Sequence, residues 1–451
     1  MIILGTNSIK DTGFNVANSC RFNKADTPSL SITPGSNGSN TVWTISMWCK
    51  RSNLSDGSND QKIHAAGTSS TYELLFSTAD QLTLYNGSTT VFVTNRKFRD
   101  VSAWYHIVVA YNTGASGDDR CKVYINGTQE TSFATDNRDD GSAMNHINQS
   151  VAQFVGNNNA GDGFDGYIAE VCVIDGTAYA ASSFGEFNED SPQIWQPIDV
   201  SGLTFGTNGA YFDFESSGNL GNDANGGTDW TETNLAATDQ SSDSPTNSFC
   251  TFNPLYNFNV DPTYSEGNCL LTFGSTWGGG KATMAVSTGK WYWEAKLSGT
   301  MANHFHGIQE VNVSGNLTAA NPMNLDGSVM FFNQDGGEMR KDDTDTTNDY
   351  GTFSDGDIIG IALNMDGGSY GQITIYKNGS AIVSNYDLSS TNDLVAPFTA
   401  GGGTMSYNFG GSPSFTISSG NADGNGYGNF EYAVPSGYLA LCTKNLGSDG
   451  G

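Results

Sequence analysis

The sequence predicts an all-β chain: two tandem antiparallel β-sandwiches with an irregular folded bridge between them. Three observations predict it. First, the 451 residues combine 56 Gly with 25 Phe, 19 Tyr and 8 Trp, so turn formers stand beside bulky strand formers, and stretches of helical period are scarce. Second, two Asn-Gly hairpins stand far apart, one in Cys121-Lys-Val-Tyr-Ile-Asn-Gly-Thr and one in Gln372-Ile-Thr-Ile-Tyr-Lys-Asn-Gly-Ser. Asn-Gly accepts the positive φ angles of a type I′ turn, whose twist matches the flanking strands. Third, each hairpin follows a nearly continuous apolar run of strand length, Trp104-Tyr-His-Ile-Val-Val-Ala-Tyr and Asp357-Ile-Ile-Gly-Ile-Ala-Leu-Asn. Such runs suit the buried middle of a sandwich, and two of them imply two cores.

In chain order, Met1-Ile-Ile-Leu opens an N-terminal strand or arm over 1–11, and the first sandwich covers 12–189. Leu82-Thr-Leu-Tyr-Asn-Gly-Ser within it is a third, shorter hairpin centred on Asn86-Gly87. From 190 to 262 the composition shifts to Ser, Thr, Asn, Asp and Gly, broken by short aromatic pieces such as Ala210-Tyr-Phe-Asp-Phe. A structureless loop of that length is unusual in a compact protein, so this stretch is expected to fold as a bridge. The second sandwich covers 263–445, and the Gly-rich end, 446–451, is expected to be a mobile tail.

Charge narrows the partners. There are 47 Asp and Glu against 19 Lys and Arg, a formal net charge of −28, and no Lys or Arg lies between Arg138 and Lys281. Such a surface repels phosphate backbones, which argues against nucleic acid. The apolar start is too short for a membrane anchor or signal sequence, so membrane insertion is not expected. Seven cysteines are spread singly, without a CxxC pair, and read as small core residues in a chain folding in a reducing cytoplasm. Trp43, Trp48, Trp104, Trp291 and Trp293 lie in strand-like runs and are assigned to core packing.

Two resemblances follow from these pieces. Thr41-Val-Trp-Thr-Ile-Ser-Met-Trp, Trp104-Tyr-His-Ile-Val-Val, Lys122-Val-Tyr-Ile-Asn-Gly and Phe164-Asp-Gly-Tyr-Ile-Ala-Glu-Val-Cys-Val make the first sandwich resemble the laminin-G-like, concanavalin A-like lectin superfamily. Gly289-Lys-Trp-Tyr-Trp-Glu-Ala-Lys, Phe353-Ser-Asp-Gly-Asp-Ile-Ile-Gly-Ile-Ala-Leu-Asn, Ile373-Thr-Ile-Tyr-Lys-Asn-Gly and Asn408-Phe-Gly make the second resemble a SPRY domain. The likeness implies a concanavalin A-like jelly roll followed by a SPRY-like sandwich. The series Phe205-Gly-Thr-Asn-Gly-Ala-Tyr-Phe-Asp-Phe, Gly218-Asn-Leu-Gly-Asn-Asp, Asp229-Trp-Thr and Asp243-Ser-Pro-Thr-Asn-Ser-Phe resembles segments of large virion proteins of marine tailed phages. That resemblance implies a virion component, made in the host cytoplasm and released by lysis.

Catalysis is disfavoured. Glycoside hydrolases need two carboxylates flanking the scissile bond. Asp213-Phe-Glu215 falls in the bridge, and the odd spacing of Asp165 and Glu170 puts them on opposite faces of a strand. His304-Phe-His306 would place two imidazoles on one face, but no third ligand stands out, so they read as a surface pair. Laminin-G-like domains sometimes hold Ca2+ at the rim, which makes Asp162 and Asp165, in an Asn- and Asp-rich loop, the candidate calcium ligands. Asp342-Asp-Thr-Asp345 is a second acidic cluster.

Sugar recognition needs aromatic faces and amide or carboxylate groups on rim loops. The candidates are Trp277 and Tyr350 in the second sandwich, and Tyr72 and Asp162 in the first. The expected function is a non-catalytic adhesin of a phage particle, a tail fibre or receptor-binding component recognising host glycan or other virion proteins, with a trimer as the usual fibre state. A decoration or cementing protein with no host ligand is the alternative, and a glycan hydrolase is the third.

Overall fold

The computed structural model describes residues 13–54, 57–68, 71–157, 162–274, 277–298, 304–312, 327–333, 336–342, 344–345, 349–390 and 393–449. The arm expected over 1–11 lies outside them. The chain divides into two compact units, Thr12–Thr246 and Asn247–Gly451, and each is a β-sandwich.

In the first unit one sheet runs in the order Thr128–Gln129, Cys121–Ile125, Tyr105–Asn112, Val42–Arg51, Gly166–Asp175, Ser19–Phe22, Gln240–Ser241, and Ala210–Phe212 also pairs with Gly166–Asp175. The facing sheet runs Phe133–Asp136, Thr89–Lys97, Gln81–Asn86, Tyr72–Phe76, Gln61–Ala66, Gln153–Val155, Ser29–Ile32, Thr231–Thr233. Every pairing in these two sheets is antiparallel. Successive strand side chains alternate faces. Trp43, Ile45, Met47 and Cys49 therefore enter the shared core with Leu74, Phe76, Leu84 and Phe92 from the facing sheet, while Trp48 and Lys50 point outward. The outer face is itself covered. Phe184, Val200 and Phe205 pack on Val108, Cys172 and Ile174.

The second unit repeats the plan with other residues. One sheet runs Phe252–Phe258, Gly278–Ala282, Val395–Gly401, His304–Glu310, Ser328–Phe332, Glu338–Lys341, Thr344–Asp345. The other runs Thr263–Ser265, Leu270–Thr272, Thr404–Asn408, Lys290–Leu297, Ile358–Asn364, Gln372–Lys377, Ser380–Asp387. Trp291, Trp293, Ile359 and Ile361 meet Ile308, Val329 and Phe331 between the sheets. No helix among the described residues is long and apolar enough to cross a membrane.

Three expectations change. The stretch 190–262 is not a separate bridge. Ala210–Phe212, Thr231–Thr233 and Gln240–Ser241 complete the sheets of the first unit, and Phe252–Phe258 is an edge strand of the second. Its isolated aromatics found their partners across a long sequence gap: Phe212, Phe214 and Trp230 are buried in the first core. The expected tail also begins too early, because residues Thr443–Asp449 form a short helix with Leu446 fully buried. Asn445 anchors that helix, donating to Asp423 Oδ2 at 2.7 Å and to the Ala440 carbonyl at 2.8 Å.

The third change concerns a turn. Asn126-Gly127 and Asn378-Gly379 are the two-residue loops expected, with φ of 48° and 76° in one and 47° and 79° in the other. The third hairpin is shifted by one residue. Asn86 pairs with Thr89, so the loop is Gly87-Ser88, and of the two only Gly87 has a positive φ, 62°.

Candidate functional site

The reason Asn86 stays in its strand is that its side chain is engaged elsewhere. Its Oδ1 accepts the Asn145 N–H at 2.7 Å, and its Nδ2 donates to the Ala143 carbonyl at 3.2 Å. The hairpin tip is thereby fastened to the loop that follows Phe133–Asp136. Asn137 makes the matching tie from the other end: its N–H donates to Val91 O at 2.9 Å and its Nδ2 to Thr90 O at 2.8 Å. A third tie comes from below, where the Tyr111 hydroxyl donates to the Ser142 carbonyl. Burial, with Cys121 and Asp140 nearby, pushes that phenol up to about 12, so it stays a protonated donor at neutral pH.

Between hairpin and loop lies a cleft of about 330 Å3. Its floor is Tyr111 and Met144, both buried, with Val91 at one side. Its walls carry Ser88, Thr89, Asp140, Ser142 and Asn145, all exposed. The floor is rigid in its own right: Tyr111 stacks on Trp43 with centroids 5.3 Å apart, and Trp43 meets the edge of Tyr72 at 5.5 Å. Hydroxyl, amide and carboxylate groups thus converge on a preformed concavity at the rim, the arrangement that fixes a polar ligand by hydrogen bonds.

None of the sequence-predicted residues lines this cleft. Tyr72 is fully buried, wedged between Trp43 and His64, and touches no solvent. It is a core residue because its strand position faces the opposite sheet. Trp277 is half-buried, its ring tilted against Phe305 at 5.6 Å, and Tyr350 is half-buried beside Phe331. Two of the four candidates belong to each unit.

The calcium reading loses support on geometry. Asp162 Oδ2 lies 3.6 Å from Lys62 Nζ, which also meets Glu73 Oε1 at 3.1 Å, so a fixed cation already faces it. Asp165 is buried and accepts Asn53 Nδ2 at 2.9 Å. Among the described residues no group of three His, Cys, Asp or Glu could hold a metal ion. Asp342 accepts the Gly327 N–H at 2.7 Å, and the rest of that acidic cluster lies outside the described side chains. His304 and His306 are not a surface pair. Both are buried, His304 bonded to the Gly402 carbonyl and His306 to the Tyr407 hydroxyl, and burial holds both below the ordinary imidazole range.

One perturbed carboxyl was not foreseen. Gly166–Asp175 carries a register shift between Ala169 and Cys172, and Glu170 sits in it with φ of 50°. The bulge turns Glu170 toward Tyr211, whose hydroxyl donates to Oε2 at 2.7 Å. Burial, reinforced by Asp213, Glu215 and Asp199, pushes the carboxyl up to about 8. It is enclosed and shielded by the tyrosine, with 6% of its surface exposed, so a substrate does not reach it.

Comparison with known proteins matches residues 24–182 to the family model Laminin_G_3, the concanavalin A-like lectin/glucanases superfamily. Comparison with curated proteins finds no match. Among solved structures, the SPRY domain of human HERC1 is similar at 18% identity and TM-score 0.29, covering 35% of this chain and 96% of that one. A heptameric SAP-like pentraxin from Limulus polyphemus is similar at 15% identity and TM-score 0.28, covering 37% and 80%. Domain 4 of AbnA, an extracellular GH43 arabinanase of Geobacillus stearothermophilus solved with arabinotriose, is similar at 20% identity and TM-score 0.27, covering 34% and 69%.

Proposed function

We propose that the chain is a non-catalytic binding protein on the surface of a bacteriophage particle, an adhesive tail-fibre or receptor-binding component that recognises host glycan or another virion protein. The observation that carries the binding half of this reading is the rim cleft, a preformed polar concavity on a rigid sandwich. The phage setting rests on the sequence resemblance of the segments between Phe205 and Phe249. Many copies on one particle turn weak single contacts into avidity, which suits a shallow polar site. A trimer is the assembly proposed, as for phage fibres. The acidic surface complements a basic neighbouring subunit or keeps many copies soluble.

Two experiments test this. Cryo-EM of the particle would locate the protein, and purified protein would be assayed against whole host cells. Exposure on tail or fibre together with cell binding is the expected result. Extensive burial against capsid or tail subunits with no cell binding would favour a decoration or cementing role instead. Release of reducing sugar from host polysaccharide would overturn the non-catalytic reading.

A further inference from the structure

Resting on that binding reading, we infer that the cleft between Asn86–Thr89 and the 137–145 loop is a saccharide site, and that it selects a short neutral saccharide while rejecting sulfated, phosphorylated and uronic-acid-bearing ones. Three features carry the inference. The volume, about 330 Å3, sits at the small end of ligand pockets, which run from about 300 to 1,000 Å3. The apolar floor groups are almost wholly covered, Tyr111 at 2% and Met144 at 1% exposure, so the cleft offers little apolar area for a hydrophobic anchor. Recognition there rests on hydrogen bonds rather than on the aromatic stacking face expected of a sugar site, and a polyhydroxylated ligand is the chemistry that supplies many of them in a small volume.

Charge supplies the selectivity. The one ionisable wall group is the Asp140 carboxylate, and no Lys, Arg or His lines the cleft. The donors of the nearby guanidiniums are engaged within the fold. Arg120 donates to the carbonyls of Ala115 and Asp139, and Arg138 is paired with Asp136 and Asp118. An anionic sugar would meet the Asp140 carboxylate with no Lys, Arg or His in the lining to offset it, in a chain of net charge −28. A neutral sugar would instead give Asp140 two hydroxyl donors, a charge-assisted pair. The three ties described above hold both walls in place before the ligand arrives, so little ordering is left for binding to supply.

The test uses the full chain on an array of neutral, sulfated and uronic-acid-bearing saccharides, then titration calorimetry with the best neutral disaccharide on the array. Asp140→Ala removes the carboxylate, and Ser88→Trp plugs the mouth. Both positions are exposed, and unchanged melting temperatures would show that the variants fold. Neutral binding by the parent chain, weakened about 10-fold or more by either change, is the expected result. Neutral binding that survives both changes would place the site elsewhere and overturn this inference while leaving the adhesin reading intact. Preferential capture of anionic saccharides would overturn it too. Absence of any saccharide binding, with host cells still bound, would overturn the saccharide assignment alone. Failure to bind cells or saccharides would count against the adhesin itself.

Discussion

The two sandwiches bury charge in different ways. In the first unit the deepest cations meet anions: Lys50 Nζ is 2.7 Å from Asp243 Oδ2, and Arg51 Nη1 is 3.0 Å from Asp80 Oδ1. In the second unit the fully buried Glu294 meets only neutral donors. It accepts the backbone N–H groups of Glu431 and Tyr432 at 3.0 and 2.9 Å, the Tyr292 hydroxyl at 3.1 Å and Asn408 Nδ2 at 3.2 Å. An ion pair joins two points, whereas a carboxylate with four donors gathers several segments. The first device fails by stranding a charge. The second fails by stranding donors, which costs less per partner.

The largest expected effect follows directly. Asp243→Ala removes the anion 2.7 Å from Lys50 Nζ and the acceptor of Trp104 Nε1, both buried, and costs about 3–5 kcal/mol, read as a fall in the urea midpoint. The double change Lys50→Met, Asp243→Leu should recover most of it, and a single change costing under about 1 kcal/mol would break the contrast drawn between the units. Glu294→Gln comes next, at about 1–3 kcal/mol by the same measurement, because an amide nitrogen would face a donor.

A pH prediction sharpens the exception in the first unit, where Glu170 meets a neutral donor. Its folded pKa, about 8, lies above the ordinary value of 4.5, so the folded state holds the proton more tightly. Its contribution is full below pH 4.5 and is lost as pH rises through 8. Melting curves of the parent and Glu170→Gln across that window should diverge, the variant gaining relative to the parent at the alkaline end; parallel curves would refute the shift. The smallest effect is at the cleft. Asn86→Ala should cost about 1 kcal/mol and speed amide exchange at Asn145, and an unchanged exchange rate would show that the loop does not depend on it.

Much of the fold was legible in the chain and little of the site was. Alternating apolar runs and Asn-Gly pairs are local signals, and they placed the strands around Tyr105–Asn112, Cys121–Ile125, Ile358–Asn364 and Gln372–Lys377. Trp43, Trp291 and Trp293 are buried between the sheets, as strand position implied, whereas Trp48 and Trp104 are buried outside the first core, beside Val16, Tyr167 and Ala169. The aromatic pieces around Phe212 misled because their partner strand, Gly166–Asp175, lies some way upstream. Tyr72 misled because one strand carries both core and solvent residues, and the sequence does not say which phase faces inward. The cleft joins a hairpin tip to a loop about fifty residues on, through Asn137 and Tyr111 as well as Asn86, whose amide could equally have formed the turn. The one available cue was Asn86-Gly87 itself, followed by the Asn-containing stretch 137–148.

The ends of the first unit meet. Val16 N–H donates to Thr246 Oγ1 at 3.1 Å, and Ser244 Oγ donates to the Val16 carbonyl at 2.7 Å. A domain whose entry and exit points touch is portable, because it can be spliced into a surface loop of an unrelated scaffold without stretching either connection. The same closure makes it a substrate for circular permutation: a short linker from Thr246 back to Gly13, with new ends opened at Gly87-Ser88, would move the chain break to the mouth of the cleft.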